Sequence, residues 1–496
     1  MGASEVNSPP VKPGRGSRAG WMLAAGVILF VLGAKLGLIH RFGTDQPYAD
    51  QWVGEGLFAA REPLYFTKPL RNYFYLHGEH TPTLTRLWTR GLVAANGGQW
   101  DCLVELVANL AICAATILVV WRALAPLAGR RPALLAVFMA LLWAQPGAYE
   151  NYLWGFQSSF LFLLLTAAIH VGGTMQSTRP GWRWAGAQFA GLCGLFSVAA
   201  GVASAAALVA MAVLRLLDNR RDAWGWATLV VNTGLVALGL WLLPSMGEPA
   251  DGRLHALAAA VVRMGYLLAW PLPATWWGLL LQLPGVVLAA RWFRGGRSDP
   301  GDRVVIGFGL WVWLVAFSIG YGRAITPATI GVRYYDVFVL GLLFNAVALL
   351  RLLPAGRGAT RVWAGAALLW LVLLGRGTWD YNKPSDLWPL FQYQRDLALE
   401  QEQVLEKFFV SNDSAELEAY AARSGRFPNL GLTLDLLRDE KMRPFLPPSL
   451  ASGGATGMLS RAAPAVTPAW SALLGAGVIL LGWGAWRTRR INPPPA

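Results

Sequence analysis

The ionisable residues of this chain gather in a few polar strings between long apolar runs. Asp45 and Asp50 stand in TDQPYADQW, and His77, Glu79 and His80 follow in LHGEHTPTLTRLW. A carboxylate placed against an acceptor hydroxyl or amide takes its proton as a general base. Asp50 is the candidate for that role, and its alternative duty is to cap a short helix over 51–60. Glu79 with His80 could steady a leaving phosphate through a shared proton or contribute to a divalent-cation site. Two ligands are fewer than a metal site needs, and a helix start with Pro82 in its first turn explains the same string. Asp50, Glu79 and His80 are the catalytic candidates.

Two further strings could bind rather than react. Glu150, Asn151 and Gln157 lie in YENYLWGFQ, where buried amides usually carry a hydrogen-bonding duty. Interhelical bonding and an interfacial aromatic belt are the bland readings. Arg323 and Arg333-Tyr334-Tyr335-Asp336 form the other string. A guanidinium fork chelates phosphate oxygens, so Arg323, Arg333 and Tyr334, with Arg86 of the first string, are donor- or acceptor-binding candidates. A local Arg333–Asp336 ion pair is the structural alternative. No phosphate-binding loop, dinucleotide fingerprint or evident Ser-His-Asp set is present.

Something must position these groups, and composition says it is a membrane. Of 496 residues 55% are hydrophobic and only 14% charged, with 25 tryptophans, whereas soluble domains carry roughly 25% charge. Apolar runs suited to crossing a bilayer occupy 20–39, 103–120, 133–145, 153–171, 184–196, 202–214, 226–243, 276–290, 304–319, 337–352, 363–374 and 470–484. That is about twelve spans, each needing roughly 20 residues or a compensating neighbour. The pattern predicts an all-α polytopic membrane protein. The 184–214 stretch is short for two crossings and is read as two short helices turning near Gly201. The net charge of +14 would suggest nucleic acid in a soluble chain. Here Arg and Lys fall in alternate loops, as cytoplasmic loops collect them, so no nucleic-acid partner is expected.

This alternation puts both chain ends in the cytoplasm and residues 40–101, 244–275 and 375–469 outside. The organisation expected is a cytoplasmic N-terminus over 1–19, a transmembrane core over 20–374 with a catalytic first loop at 40–101, a small helical cap over 375–469, a last span at 470–484 and a cytoplasmic tail over 485–496. Within the cap, helices are predicted over 384–410 and 415–424. Residues 254–270 could form a surface or re-entrant helix. The first apolar run has no convincing small-residue cleavage site and is read as a retained helix. Cys102, Cys113 and Cys193 support neither a disulfide framework nor a zinc site.

Taken in order, the strings resemble a bacterial branch of the polytopic GT-C class of glycosyltransferases. The resemblance rests on Asp50-Gln51-Trp52, Glu79-His80 with Arg86-Leu87, Asn96-Gly97 with Trp100-Asp101, and Glu150 to Gln157. It continues in Phe427-Pro428, Leu436-Leu437-Arg438-Asp439 and Arg443 to Pro447, so it spans the chain from the first helix to Leu450. It implies a GT-C-like bundle that takes a sugar from a polyprenyl-phosphate carrier on the extracytoplasmic side of the bacterial inner membrane. The acceptor would be a cell-envelope glycan, lipid or protein, and inversion would follow from one displacement with Asp50 as base. The sequence lacks the paired acidic residues beside Asp50, so a divalent cation is an open possibility rather than an implied cofactor.

Two other readings compete. A glycan ligase or polymerase acting on a diphosphate-linked oligosaccharide would share the arginines but place its chemistry in the late outer loops. A flippase or transporter for lipid-linked sugars would show internal repeats and ionisable groups near the midplane. His170 and Asn232 are the weak exceptions to the scarcity of such groups here.

Overall fold

The computed structural model describes residues 18–60, 73–78, 80–243, 250–272, 276–295, 299–325, 331–354, 356–451 and 453–491. It is helical throughout. Among the described residues the only pairing of extended backbone is an isolated bridge between His77 and His80. In chain order the helices are α1 (Arg18–Phe42), α2 (Thr83–Ala95), α3 (Cys102–Leu124), α4 (Pro132–Trp143), α5 (Ser158–Gln176), α6 (Trp182–Gly194), α7 (Val202–Asp218), α8 (Ala223–Leu242) and α9 (Ala250–Leu268). They continue with α10 (Leu283–Arg294), α11 (Pro300–Ile325), α12 (Tyr335–Arg351), α13 (Arg357–Tyr381), α14 (Pro384–Ser411), α15 (Ala415–Ser424), α16 (Leu430–Arg438), α17 (Met458–Val466) and α18 (Trp470–Ile491).

Nine helical segments among the described residues are long and apolar enough to cross a bilayer, and the protein is an all-α polytopic membrane protein. Not every expected span reaches that length. α4 has 12 residues and α6 has 13, or about 20 Å at 1.5 Å per residue, against a hydrocarbon core of about 30 Å. The 184–214 stretch does form two helices, joined by a turn through Ala199–Gly201. The expected span over 153–171 is interrupted. Trp154 is extended (φ −138°, ψ 110°), so a short helix, Glu150–Leu153, stands apart from α5. Residues 254–270 lie largely within α9, which packs along α11.

The two termini of the bundle meet. α1 lies along α18 at a separation only glycine permits: a Cβ on Gly33 would fall 2.6 Å from the Leu474 nitrogen, and one on Gly477 2.5 Å from the Phe30 nitrogen. Small residues that bring backbones together are the usual means of packing helices in lipid, where apolar burial alone gives little drive.

The bundle has two chemically different ends. At one, Arg351 pairs with Asp299 (2.6 Å) and Asp302, Arg291 with Asp302 (3.0 Å), and Arg215 with Asp222. The opposite end carries Asp50, Glu150 and Arg333. There α14 to α16 pack on the loop that follows α1, through a second hydrophobic core containing Trp52, Trp100, Leu405, Tyr420, Phe427 and Leu436. The indole of Trp52 stacks on Phe427 (5.5 Å) and meets Trp100 edge-on (5.7 Å). The late segment is thus bonded to the first loop by shared burial rather than set apart from it.

Candidate active site

Asp50 enters the site from a turn. Ala49 adopts a left-handed φ of 46°, and a π-helical segment, Trp52–Ala60, follows. Among the described residues the Asp50 carboxylate makes no capping hydrogen bond. Its backbone carbonyl accepts from the Gly54 N–H (2.6 Å), while Oδ1 faces His77 Nε2 at 3.5 Å. The carboxylate is 41% exposed, open enough to meet an acceptor. Asp45 has a different duty: its carboxylate accepts from the Ser449 N–H (2.8 Å) and hydroxyl (2.9 Å), tying the first loop to the segment after α16.

Below Asp50 lies a buried acid pair. Gln51 Nε2 donates to Glu55 Oε2 (2.9 Å) and to Glu105 Oε2 (3.0 Å). Thr89 Oγ1 donates to Glu55, and Trp100 Nε1 to Glu105. Burial pushes Glu55 up to about 7, so this carboxyl holds a proton well above the usual carboxylate range. Gly155 makes room for the pair, since a Cβ there would fall 2.1 Å from Glu105 Oε2. The pair fixes the residue next to Asp50 between three elements. Asp101, which caps α3 by accepting from the Leu103 and Val104 N–H groups, is likewise raised, to about 6, by burial.

Arg333 approaches from the segment before α12. Its Nη1 donates to Glu150 Oε2 (3.1 Å), and its guanidinium lies 5.9 Å from the Trp154 ring. The local Arg333–Asp336 pair is not formed. Asp336 instead accepts from Asn151 Nδ2 (2.9 Å) and the Tyr152 hydroxyl (3.0 Å), and Asn151 also donates to the Arg333 carbonyl (2.9 Å). Arg323 donates to the Tyr334 hydroxyl at 2.9 Å. These candidates therefore form one connected group.

Tyr48 links that group to Asp50. Its ring meets Trp154 edge-on at 4.7 Å, its carbonyl accepts from Trp154 Nε1 (3.0 Å), and the buried Arg426 guanidinium stacks 4.6 Å from it. Burial raises the Tyr48 phenol. Arg426, Glu150, Arg333 and Asp50 all act on it electrostatically, so the base candidate and the phosphate candidate share this neighbour. A narrow recess of ≈ 70 Å³ lies among Tyr48, Glu150, Trp154 and Arg426. That is the space of about two waters, so the open space at this end lies on the exposed side of Asp50.

Arg86 and His80 brace the first loop. Arg86 is buried and donates to the carbonyls of Gly54 (3.3 Å), Tyr73 (3.1 Å) and Tyr75 (2.6 Å); burial lowers it to about 10. His80 Nδ1 accepts from the Ala199 N–H (3.1 Å), strapping the first loop to the α6–α7 turn. Gln157 is buried, and its Oε1 accepts no hydrogen bond among the described residues. Glu79 lies outside the described residues. No group of three or more His, Cys, Asp or Glu suited to a metal ion occurs among the described residues.

Sequence reasoning named His77 and the string containing Trp154 without giving either residue a role, and passed over Tyr48, Arg426 and the Gln51–Glu55–Glu105 set. His77 had a local signal in the His-Gly-Glu-His string. It also passed over Lys35, buried inside α1, whose ammonium donates to the Gln145 carbonyl (2.6 Å) and lies 4.1 Å from the Tyr152 ring. A buried charge at such depth requires partners of this kind. Compared with known proteins, the chain matches no family model, no curated protein and no solved structure.

Proposed function

We propose that this protein is an inverting membrane glycosyltransferase of the GT-C kind, taking a sugar from a polyprenyl-phosphate carrier. The observation that carries the reading is the half-exposed Asp50 carboxylate two positions from Tyr48, whose ring meets the Trp154 indole (4.7 Å) that the Arg333 guanidinium also approaches (5.9 Å). In the reaction the acceptor hydroxyl or amide attacks the anomeric carbon while Asp50 removes its proton. The bond from that carbon to the phosphate oxygen breaks, and its electron pair leaves with the carrier phosphate. Displacement from the opposite face inverts the anomeric centre.

Arg333 would bind the phosphate whose charge grows as the bond breaks, a place where a guanidinium fork outperforms a point charge. Glu150 holds one edge of that fork, and Asn151 fixes the backbone behind it. Arg323 and Tyr334 extend the group. In this reading about twelve crossings put the Asp50 end outside the bacterial cytoplasmic membrane, where a cell-envelope glycan, lipid or protein is the acceptor. The test is transfer from a synthetic polyprenyl-phosphate sugar by the purified chain, with release of polyprenyl phosphate followed by mass spectrometry. Absence of release across common bacterial sugars and envelope acceptors would reject the reading.

A further inference from the structure

A second recess lies on the far side of an aromatic wall. Phe42 meets Trp388 at 5.2 Å and Phe391 at 5.3 Å, closing the space beside Tyr48 and Glu150 from a cavity of ≈ 730 Å³ between the end of α1 and the first half of α14. Two guanidinium groups line this cavity. Arg395 Nη1 donates to the Arg41 carbonyl (2.8 Å), which anchors it against the last turn of α1. The Arg41 guanidinium lies between indoles, 5.6 Å from Trp388 and 5.8 Å from Trp470. His40 adds a third nitrogen group, held through Nδ1 by the Thr467 hydroxyl at 3.0 Å.

Charge balance sets Arg41 and Arg395 apart from the ion-paired arginines of the bundle. Arg333, Arg215, Arg291 and Arg351 each have a carboxylate partner. Among the described residues, neither Arg41 nor Arg395 has a carboxylate within 4 Å. Asp396 on the same wall lowers the local charge but leaves it cationic. Both arginines also sit at the end of the bundle opposite the paired basic belt, so topology does not account for them. Exposed Trp388, with Trp470 at the start of a membrane helix, marks the level where lipid headgroups begin.

We propose that this recess binds the phosphodiester of an anionic phospholipid, with its phosphate between Arg41 and Arg395 and its chains running down beside Trp470. The cations supply charge-assisted hydrogen bonds, and the cavity is of a size that holds a small-molecule headgroup. The site is separate from the Asp50–Arg333 group and stands whether or not the chain transfers sugar.

Native mass spectrometry of the full-length protein in detergent tests it, with phosphatidylglycerol, phosphatidylcholine and inorganic phosphate as probes. The intact protein should retain phosphatidylglycerol over phosphatidylcholine by about tenfold or more, the worth of one good charge-assisted contact. Millimolar inorganic phosphate should not displace it. Arg41→Gln with Arg395→Gln should abolish the preference. Arg41→Gln alone, which leaves the Arg395 bond to the backbone intact, should reduce it while the melting temperature holds. Equal retention of the two lipids, a preference that survives folded Arg41→Gln unchanged, or displacement by inorganic phosphate would overturn the proposal.

Discussion

His77 Nε2 stands 3.5 Å from Asp50 Oδ1, across the first loop from the turn that presents the carboxylate. The imidazole packs edge-on against Phe156 at 5.3 Å, so the ring is held and limits the rotamers open to its partner. A general base works only within hydrogen-bond reach of the proton it takes. If Asp50 is the base proposed above, the pairing makes His77 its positioning residue.

The shared core between the first loop and α14 to α16 should be indispensable for folding. Trp52 is fully buried between Trp100 and Phe427. Trp52→Ala should cost about 3–5 kcal/mol, the usual loss for a buried aromatic. Chemical denaturation in detergent would read it, and a loss below about 1 kcal/mol would mean the two segments are not packed together.

Contact between α1 and α18 makes a separate prediction. Gly33→Leu and Gly477→Leu each force the two helices apart, and both should lower the melting temperature and increase proteolysis at the chain ends. Leucine at Gly365, where an added Cβ would meet nothing within 4 Å, is the control and should have little effect.

The raised Glu55 carboxyl makes stability depend on pH. Its folded value of about 7 lies above its ordinary 4.5, so between those limits the native state binds more protons than the unfolded state. Stability from this group is full below pH 4.5 and is lost as pH rises through 7. Asp101, raised from 3.8 to about 6, acts in the same direction over a lower window. Melting temperature measured from pH 4.5 to 7.5 should therefore show a falling contribution that Glu55→Gln removes. An identical pH slope in that variant would contradict the assignment.

These features differ in how far the sequence could disclose them. Helices such as α1, α3 and α11 were legible because apolar length is a local property. Asp50, Glu150 and Arg333 were legible as residue types out of place at a membrane boundary. Their partners were not. Arg333 turns to Glu150 rather than to Asp336 three positions away, and Asp45 turns to Ser449, because both choices depend on contacts between distant segments. The break at Trp154 escaped notice because Leu153, Trp154 and Phe156 join the apolar run that follows, although Gly155 and Gln157 interrupt it. Lys35 was hidden in the same way, since one charge barely changes the hydropathy of a long run.

Arg333 offers a test of phosphate recognition apart from the base. Arg333→Lys keeps the charge but loses the fork, so the KM for the lipid donor should rise about tenfold with the fold intact. Unchanged donor kinetics would remove Arg333 from the phosphate site.

The central claim is that Asp50 takes the acceptor's proton. Asn at this position preserves size but cannot act as a base, and losing a general base typically costs about 10²–10⁴ in rate. Asp45→Asn, which can still accept from Ser449, should cost about 1 kcal/mol of stability and leave transfer largely unchanged. The direct measurement is single-turnover transfer from a polyprenyl-phosphate sugar by folded Asp50→Asn, Asp45→Asn and the unaltered protein. The account predicts donor binding by all three and transfer by all but Asp50→Asn; near-normal turnover by Asp50→Asn would contradict it.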